Sequence, residues 1–444
     1  MQNILLFGAG KSATVLIDYI LKNSEAEQWK LIVVDANLHL ATSKTAGHAN
    51  ARAASFDIND TKERINIIEE ADIVISMLPP ALHLLVAKDC ISCKRNLLTA
   101  SYIDDAMRRL QPEIEKNGLL FLCEMGLDPG IDHMSAMQIF DDIKSRNGTI
   151  VSFISHCGGL IAPESDDNPW HYKISWNPVN IVNAGKTGAV YKLHNEITEL
   201  DYYEVFDNCE TVNIDGLGTY AWYPNRNSLP YSSLYGLEDT PTFLRTTLRH
   251  PDYCTGWQAL ILAGLTDAEN SSTIKNFHGK SFNNWLVSSL NFYAKAQNLQ
   301  DFLTRYIEKD QHSIVIKLFD YLGITSDEII PEKANSSADI LKHLLETRLM
   351  LGEEDKDMVI MLHEIEYELQ GEKKYLRSKL VIKGSNNLHT AMAKTVGLPL
   401  AIATKLILNG TISLTGLHIP VIKEIYEPVL HELSQNEISF IHTL

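Results

Sequence analysis

The run NILLF, Asn3 to Phe7, leads directly into Gly8-Ala9-Gly10-Lys11-Ser12-Ala13, and Val15, Leu16, Tyr19 and Ile20 then recur at helical spacing. Strand, G-x-G-x-x-A turn and helix in that order leave few folds open, because each small residue has a backbone task. The first glycine permits the tight turn, the second lets a pyrophosphate approach the main chain, and the small third residue lets helix pack on strand. The free N–H groups and dipole at the helix start favour an anion there. A P-loop reading of Gly10-Lys11-Ser12 fails, since that motif needs a glycine five positions earlier, where Leu5 stands. Gly8, Ala9, Gly10, Lys11, Ser12 and Ala13 are therefore cofactor-binding candidates on a doubly wound parallel sheet.

The following elements extend that sheet. Lys30 to Val34 reads as the second strand and Asp35 ends it. An acid there accepts from ribose hydroxyls and repels a 2′-phosphate, which favours NAD and leaves NADP open; a plain turn acid is the alternative. Asp57 closes a third strand on the adenine side. Ala71 to Leu78 is a fourth, and Leu78, Pro79 and Pro80 end it where the nicotinamide-side ribose passes. A helix over 81–94 crosses to Asn96–Ala100, whose end carries Ser101 and Tyr102 into the cleft, with a helix cap as the alternative for Ser101. Leu119 to Cys123 runs into a Gly- and Pro-punctuated loop, Glu124-Met125-Gly126-Leu127-Asp128-Pro129-Gly130-Ile131, followed by Asp132 and His133. Ligands of such sheets lie outside the carboxyl ends of the strands, so this loop is expected to face one; a bare Asp-Pro-Gly turn is the alternative.

Beyond residue 148 the pattern changes. Thr149 to His156 alternates like a strand, and a long polar, aromatic loop follows. Short strands are expected at Tyr203–Val205, Val212–Ile214 and Tyr220–Tyr223, helices from about Thr240 to Leu351, and strands again at Met358–Leu369 and Tyr375–Lys383. His389 to Leu408 reads as a helical segment interrupted at Gly397-Leu398-Pro399. The expected class is α/β: a Rossmann-type parallel sheet domain, a second α/β substrate domain with a mainly antiparallel sheet, and a helical insertion domain. Their expected extents are 1–127 with 388–444, 128–240 with 355–387, and 241–354.

A formal charge of −17 argues against nucleic acid or an anionic membrane as partner, and a small anionic substrate then needs a local cationic pocket. No apolar run approaches the roughly 20 residues that span a bilayer. Six cysteines, mostly in apolar runs, indicate reduced thiols and a cytoplasmic setting. Cys90 and Cys93 form a C-x-x-C without a second ligand pair, so no metal is expected.

The stretches TASYI, EMGLDPGIDHM, HCGGLIAPESDDNPWHYKISWNP, YPNRNS and TTLRHP, in this order, resemble the saccharopine dehydrogenase family of the L-glutamate-forming type. The resemblance covers nearly the whole chain. It implies interconversion of saccharopine with 2-aminoadipate 6-semialdehyde and glutamate, with small-molecule partners only and a homodimer allowed. It places Ser101, Tyr102, Asp128, Arg226, Thr247, Leu248 and Arg249 on substrate-contacting positions, and Gly8 to Ala13, Asp35 and Glu124 through Ile131 on cofactor-contacting ones. Fungal members use NADP and lack an acid at the end of the second strand, whereas the animal members use NAD; Asp35 therefore departs from the fungal pattern.

Saccharopine carries three carboxylates and a secondary amine. Arg226, Arg249 and Lys173 are the cations suited to clamp carboxylates, because guanidinium binds them bidentately. Asp128 and Tyr102 are the candidates for holding the amine proton, with His133 and Cys157 behind them. Two rivals stand beside this reading: a carboxynorspermidine-type imine reductase, against which the two Arg motifs speak, and a non-catalytic NAD-binding sensor.

Overall fold

The computed structural model describes residues 1–207, 209–269 and 279–443. They form two compact units, Met1–Ile150 with Glu366–Leu444, and Val151–Ile365.

The first unit is built on a seven-stranded sheet. Its strands are β1 (Gln2–Phe7), β2 (Trp29–Val34), β3 (Ala51–Ala54), β4 (Ile73–Ser76), β5 (Asn96–Thr99), β6 (Leu120–Leu122) and a last strand at Gly416–His418. From one edge the order is Gly416–His418, β6, β5, β4, β1, β2, β3, and every pair is parallel. Helices cover both faces of such a sheet, so its strands carry unbroken apolar runs rather than alternation. Ile4, Leu5, Leu6 and Phe7 are accordingly all fully buried. After β3 the chain returns to the other side of β1, which makes the β1/β4 boundary the switch point where doubly wound sheets open a crevice.

The helix Ala391–Leu408 belongs to this unit and packs along Thr14–Asn23. The break expected at Gly397-Leu398-Pro399 is not there: the helix is continuous, with Pro399 inside it. Gly397 serves close approach instead, since a Cβ on it would lie 2.9 Å from Leu16 N and 3.2 Å from Ser12 O. By length and composition this 18-residue helix could cross a membrane, but it is a core helix, 72 % buried within the protein.

The second unit contains β7 (Thr149–Ile161) from Val151 on, β8 (Ala189–Leu193), β9 (Glu196–Leu200), β10 (Glu210–Ile214), β11 (Gly218–Pro224), β12 (Arg226–Asn227), β13 (Thr242–Arg249) and β14 (Asp357–Leu369) as far as Ile365. The main path is β10-β11-β13-β7-β14, with β8 attached to β9, β12 and β13. Pairing is antiparallel for β10–β11, β11–β13, β8–β9 and β8–β13, and parallel for β13–β7 and β12–β8.

Three sequence expectations change here. Thr242–Arg249, expected as helix, is a central strand; lying between β11 and β7 it is buried along nearly all its length, and burial of both faces removes the alternation that marks a strand. Tyr203–Val205, expected as strand, lies in a run of turns. The hairpin β8–β9 was not expected; His194 and Asn195 make its two-residue turn with φ of +50° and +68°, the conformation usually marked by Asn-Gly. Nor do the helices Pro251–Leu262, Phe282–Ser289, His312–Leu322 and Ser337–Arg348 form a separate third body. Their Trp257, Trp285, Leu318 and Leu345 share one apolar core with Trp170, Ala189, Ala221 and Tyr223, so a boundary at 240/241 would cut that core.

Candidate functional site

The glycine turn closes the end of β1. Gly8 has φ +98°, and a Cβ there would stand 2.9 Å from Met77 O at the end of β4, so only glycine lets the two strand ends approach. Gly10 is the opposite case: it is exposed, and a Cβ would meet nothing within 4 Å. That leaves open backbone at the start of a 3-10 turn, Lys11–Ala13, continuing into Thr14–Asn23, a shape that fits a dinucleotide pyrophosphate. Ala9 and Ala13 are buried, while Lys11 is exposed and Ser12 partly so.

Asp35 Oδ2 accepts from Ala9 N at 2.8 Å and Oδ1 from Asn37 N at 2.9 Å, which fixes the carboxylate beside the turn. Asp57 is exposed and closes a local turn through Asn59 N at 2.9 Å, three residues beyond a β3 that ends at Ala54. Leu78 is half-buried, and Pro79 is the exposed residue before the helix Pro80–Cys93.

Beyond β5 and β6 the first unit gathers the acidic candidates. Tyr102 Oη donates to Asp128 Oδ1 at 3.4 Å, and Glu124 N donates to Ser101 O at 3.1 Å, so Ser101, Tyr102 and the 124–131 loop form one group. Glu124 is buried, with Oε1 accepting from Ile103 N at 3.1 Å and Oε2 2.9 Å from His133 Nε2. His133 Nδ1 faces Asp132 at 3.5 Å, and Asp132 accepts from Gly130 N at 2.6 Å. His133 is thus a fully buried strut of this loop. The Asp128–Pro129 peptide is cis, and Gly130, at φ +146°, is so close to Gly126 that a Cβ would fall 2.1 Å from Gly126 O. Met125 and Ile131 are 0 % exposed, and Leu127 and Pro129 are also buried.

One buried histidine here went unread in the sequence. His83, on the helix after Pro79, lies with Nδ1 2.8 Å from Ser76 Oγ and Nε2 2.7 Å from Ser101 Oγ. Burial lowers its pKa to about 4 and keeps the ring neutral near neutral pH. The available signal was a polar residue on the inner face of a crossover helix, spaced from two strand ends that bear hydroxyls.

In the second unit, β13 carries Thr247, Leu248 and Arg249. Leu248 is 0 % exposed and packs on Gly158, whose absent Cβ would lie 2.7 Å from the Leu248 Cβ. Thr247 is half-buried and sits in register with Tyr223 on one side and Cys157 on the other. Cys157 is itself buried.

Arg249 is the unusual residue. It is 4 % exposed, and its guanidinium carbon lies 5.2 Å from the Tyr172 ring centroid and 5.4 Å from that of Tyr253. Nη1 donates to Leu248 O at 2.7 Å, while Nε has no hydrogen-bond partner. Among the described residues no carboxylate pairs with it. Burial pushes Tyr223 up to about 12 and raises Tyr172 and Tyr253 as well, so the cage is neutral phenol around a cation.

Lys173 is differently placed: its Nζ donates to Asp167 at 2.8 Å and Asp355 at 2.7 Å, and these two acids already balance its charge. Arg226 is exposed, has φ +56° and pairs in β12 with Ala189 of β8. His171, His250 and Asp252 also come together, but the imidazoles lie face to face, centroids 3.7 Å and planes 30° apart, which suits stacking better than ligation of one ion.

Comparison with known proteins gives matches along nearly the whole chain. Residues 4–122 match the family described as "Saccharopine dehydrogenase NADP binding domain", and residues 126–438 match the "Saccharopine dehydrogenase C-terminal domain". The mitochondrial alpha-aminoadipic semialdehyde synthase of Bos taurus is 32 % identical across 99 % of this chain and 47 % of its own length, and the Arabidopsis thaliana synthase 31 % across 97 % and 44 %. The chain therefore spans about half the length of these relatives. The NADP(+), L-glutamate-forming saccharopine dehydrogenase of Saccharomyces cerevisiae is 33 % identical over 97 % of this chain and 96 % of its own. A solved structure, apo histidine-tagged saccharopine dehydrogenase (L-Glu forming) from that yeast, superposes with a TM-score of 0.88 at 30 % identity, covering 100 % of this chain and 99 % of that one.

Proposed function

This chain belongs to the saccharopine dehydrogenase family, and from that premise we propose that it interconverts saccharopine with 2-aminoadipate 6-semialdehyde and L-glutamate, using a nicotinamide dinucleotide. The observation that carries this reading is Arg249. A guanidinium that is 4 % exposed and has no carboxylate partner among the described residues bears a desolvation cost which an anionic ligand would offset, and saccharopine offers three carboxylates.

The dinucleotide supplies the hydride acceptor. Gly8 to Ala13 and Thr14–Asn23 would hold its pyrophosphate, with open space at Gly10 where the phosphates come in. The chain's residues then have three tasks. Arg249 fixes a carboxylate, with exposed Arg226 a second anchor. Ser101 and Tyr102 position the polar end of the substrate. Asp128, 3.4 Å from Tyr102 Oη, takes the amine proton as the C–H bond gives up its hydride. Water then adds to the resulting C=N bond and releases aldehyde and glutamate.

We further propose NAD as the preferred cofactor. Asp35 carries its negative charge beside the glycine turn, where a 2′-phosphate would be repelled, and the NADP(+) in the yeast relative's name makes this the point at which the two proteins are expected to differ. The test is reduced-nicotinamide absorbance on mixing the protein with saccharopine and either cofactor, repeated with Asp35→Ser. NAD is expected to give the higher kcat/KM, and the substitution to shift the NAD/NADP ratio towards NADP by about 10-fold. Faster turnover with NADP in the unmodified protein overturns the cofactor assignment; no turnover with either overturns the activity.

A further inference from the structure

The hydroxyl of Ser101 reaches a buried chain of polar groups that fixes which way its proton points. Ser76 Oγ is 0 % exposed, and among the described residues its one hydrogen-bond partner is His83 Nδ1 at 2.8 Å. A buried hydroxyl that donates to nothing is costly, so the Ser76 proton belongs on that bond and Nδ1 must accept it. A neutral imidazole has one proton, which then sits on Nε2. Burial is what keeps the ring neutral, against a smaller opposing pull from the charge of Asp104. Nε2–H in turn donates to Ser101 Oγ at 2.7 Å and faces Thr99 Oγ1 at 3.4 Å. Thr99 Oγ1 already accepts from Ser101 N at 3.2 Å, which matches an acceptor role toward both groups.

We propose that His83 is a positioning residue, fixed as the Nε2–H tautomer, which fills one acceptor lone pair of Ser101 Oγ and leaves its O–H as a donor aimed at a carboxylate of the substrate. The polarity runs one way through the chain: Ser76 donates to His83, His83 to Ser101, and Ser101 to the ligand. A carboxylate oxygen there accepts the Ser101 proton directly, whereas an amine N–H is left only the second lone pair of Ser101 Oγ, so the carboxylate is favoured. The specificity half of this proposal rests on the reading that Ser101 meets the substrate, whereas the tautomer does not.

The experiment has two arms so that the two can fail separately. The full-length protein, labelled with 15N-histidine, is examined by NMR between about pH 6 and 8, the range in which an ordinary histidine would titrate, with His83→Gln used to assign the resonances. Nε2 is expected to show a protonated nitrogen and Nδ1 an unprotonated one throughout; the reverse pattern, or titration within that range, overturns the tautomer.

The second arm measures saccharopine KM, kcat and dinucleotide affinity for His83→Leu, His83→Gln, Ser101→Ala and the Leu/Ala double variant. His83→Leu and Ser101→Ala are each expected to raise saccharopine KM about 10-fold, the double variant no further, and His83→Gln, whose amide can still donate, to recover most of the loss. Dinucleotide affinity stays unchanged. Additive losses, or an equal loss of dinucleotide binding, overturn positioning through Ser101. An unaltered KM in Ser101→Ala overturns the carboxylate contact even if the tautomer stands, and absence of saccharopine turnover in the unmodified protein removes the substrate reading while leaving the NMR result intact.

Discussion

At the scale of single residues, charge and burial do most of the work. Arg249 is a cation inside a tyrosine cage with its Nε unpaired, so the ligand-free protein is destabilised by a group that a bound anion would satisfy. Arg249→Met is therefore expected to raise the Tm of the ligand-free protein and to raise the saccharopine KM about 10–100-fold, the loss of roughly 1.5–3 kcal/mol. A lower Tm with unchanged KM would assign Arg249 to the core rather than to the substrate. His83 makes a second prediction, through pH. Its folded pKa is near 4, depressed by burial from the ordinary 6.5, so its contribution to stability is present above pH 6.5 and is lost as pH falls towards 4, where the unfolded chain gains a proton that the folded one resists. The difference in unfolding free energy between the parent and His83→Gln should shrink over that window, by up to about 3 kcal/mol. Parallel pH profiles would show that the imidazole titrates alike in both states.

Elements succeed here through close approach rather than through propensity. The 391–408 helix contains Gly397 and Pro399, both poor helix formers, yet it persists because Gly397 lets it lie against Leu16 and Ser12. Gly397→Val should cost about 1–3 kcal/mol by overpacking, read as a lower denaturation midpoint with an unchanged slope. Gly10, in the turn before Thr14–Asn23, is the counter-example. With nothing within 4 Å of a Cβ, Gly10→Val should leave circular dichroism and Tm nearly as they were while dinucleotide affinity collapses. Retained affinity in that variant would remove the pyrophosphate from the turn. The strand β13 shows the same principle in a sheet: its Thr and Phe favour strand, its Leu and Arg favour helix, and pairing with β11 and β7 decides for strand.

The whole molecule carries −17 formal charges, and saccharopine at neutral pH is a net anion. Long-range repulsion should slow encounter at low ionic strength, whereas the buried Arg249 attraction is little screened. Raising salt from about 0.01 to 0.15 M, across which the Debye length falls from roughly 30 to 8 Å, should therefore raise kcat/KM for saccharopine. A fall over that interval would mean that local cationic charge dominates the approach.

By itself the sequence determined what depends on neighbours along the chain. The apolar runs at β1, β2, β4, β5 and β6 are strand-length and bounded by turn residues, and Gly8 and Gly10 have backbone duties readable from spacing, so the parallel sheet and its glycine turn were legible. So were Asp35 at its strand end and the family motifs around Ser101, Asp128 and Arg249. Tertiary structure decided what depends on residues far apart. It made Thr242–Arg249 a strand by burying both its faces, merged the helical segment with the sheet through one core, and balanced Lys173 with Asp167 and Asp355, 182 residues apart in the last case. It also placed Tyr172, Tyr223 and Tyr253 around Arg249, and His83 between Ser76 and Ser101. Periodicity reports which side of an element is apolar; it carries no record of which distant polar group will fill the place opposite, because that pairing is set by desolvation only after the chain has closed.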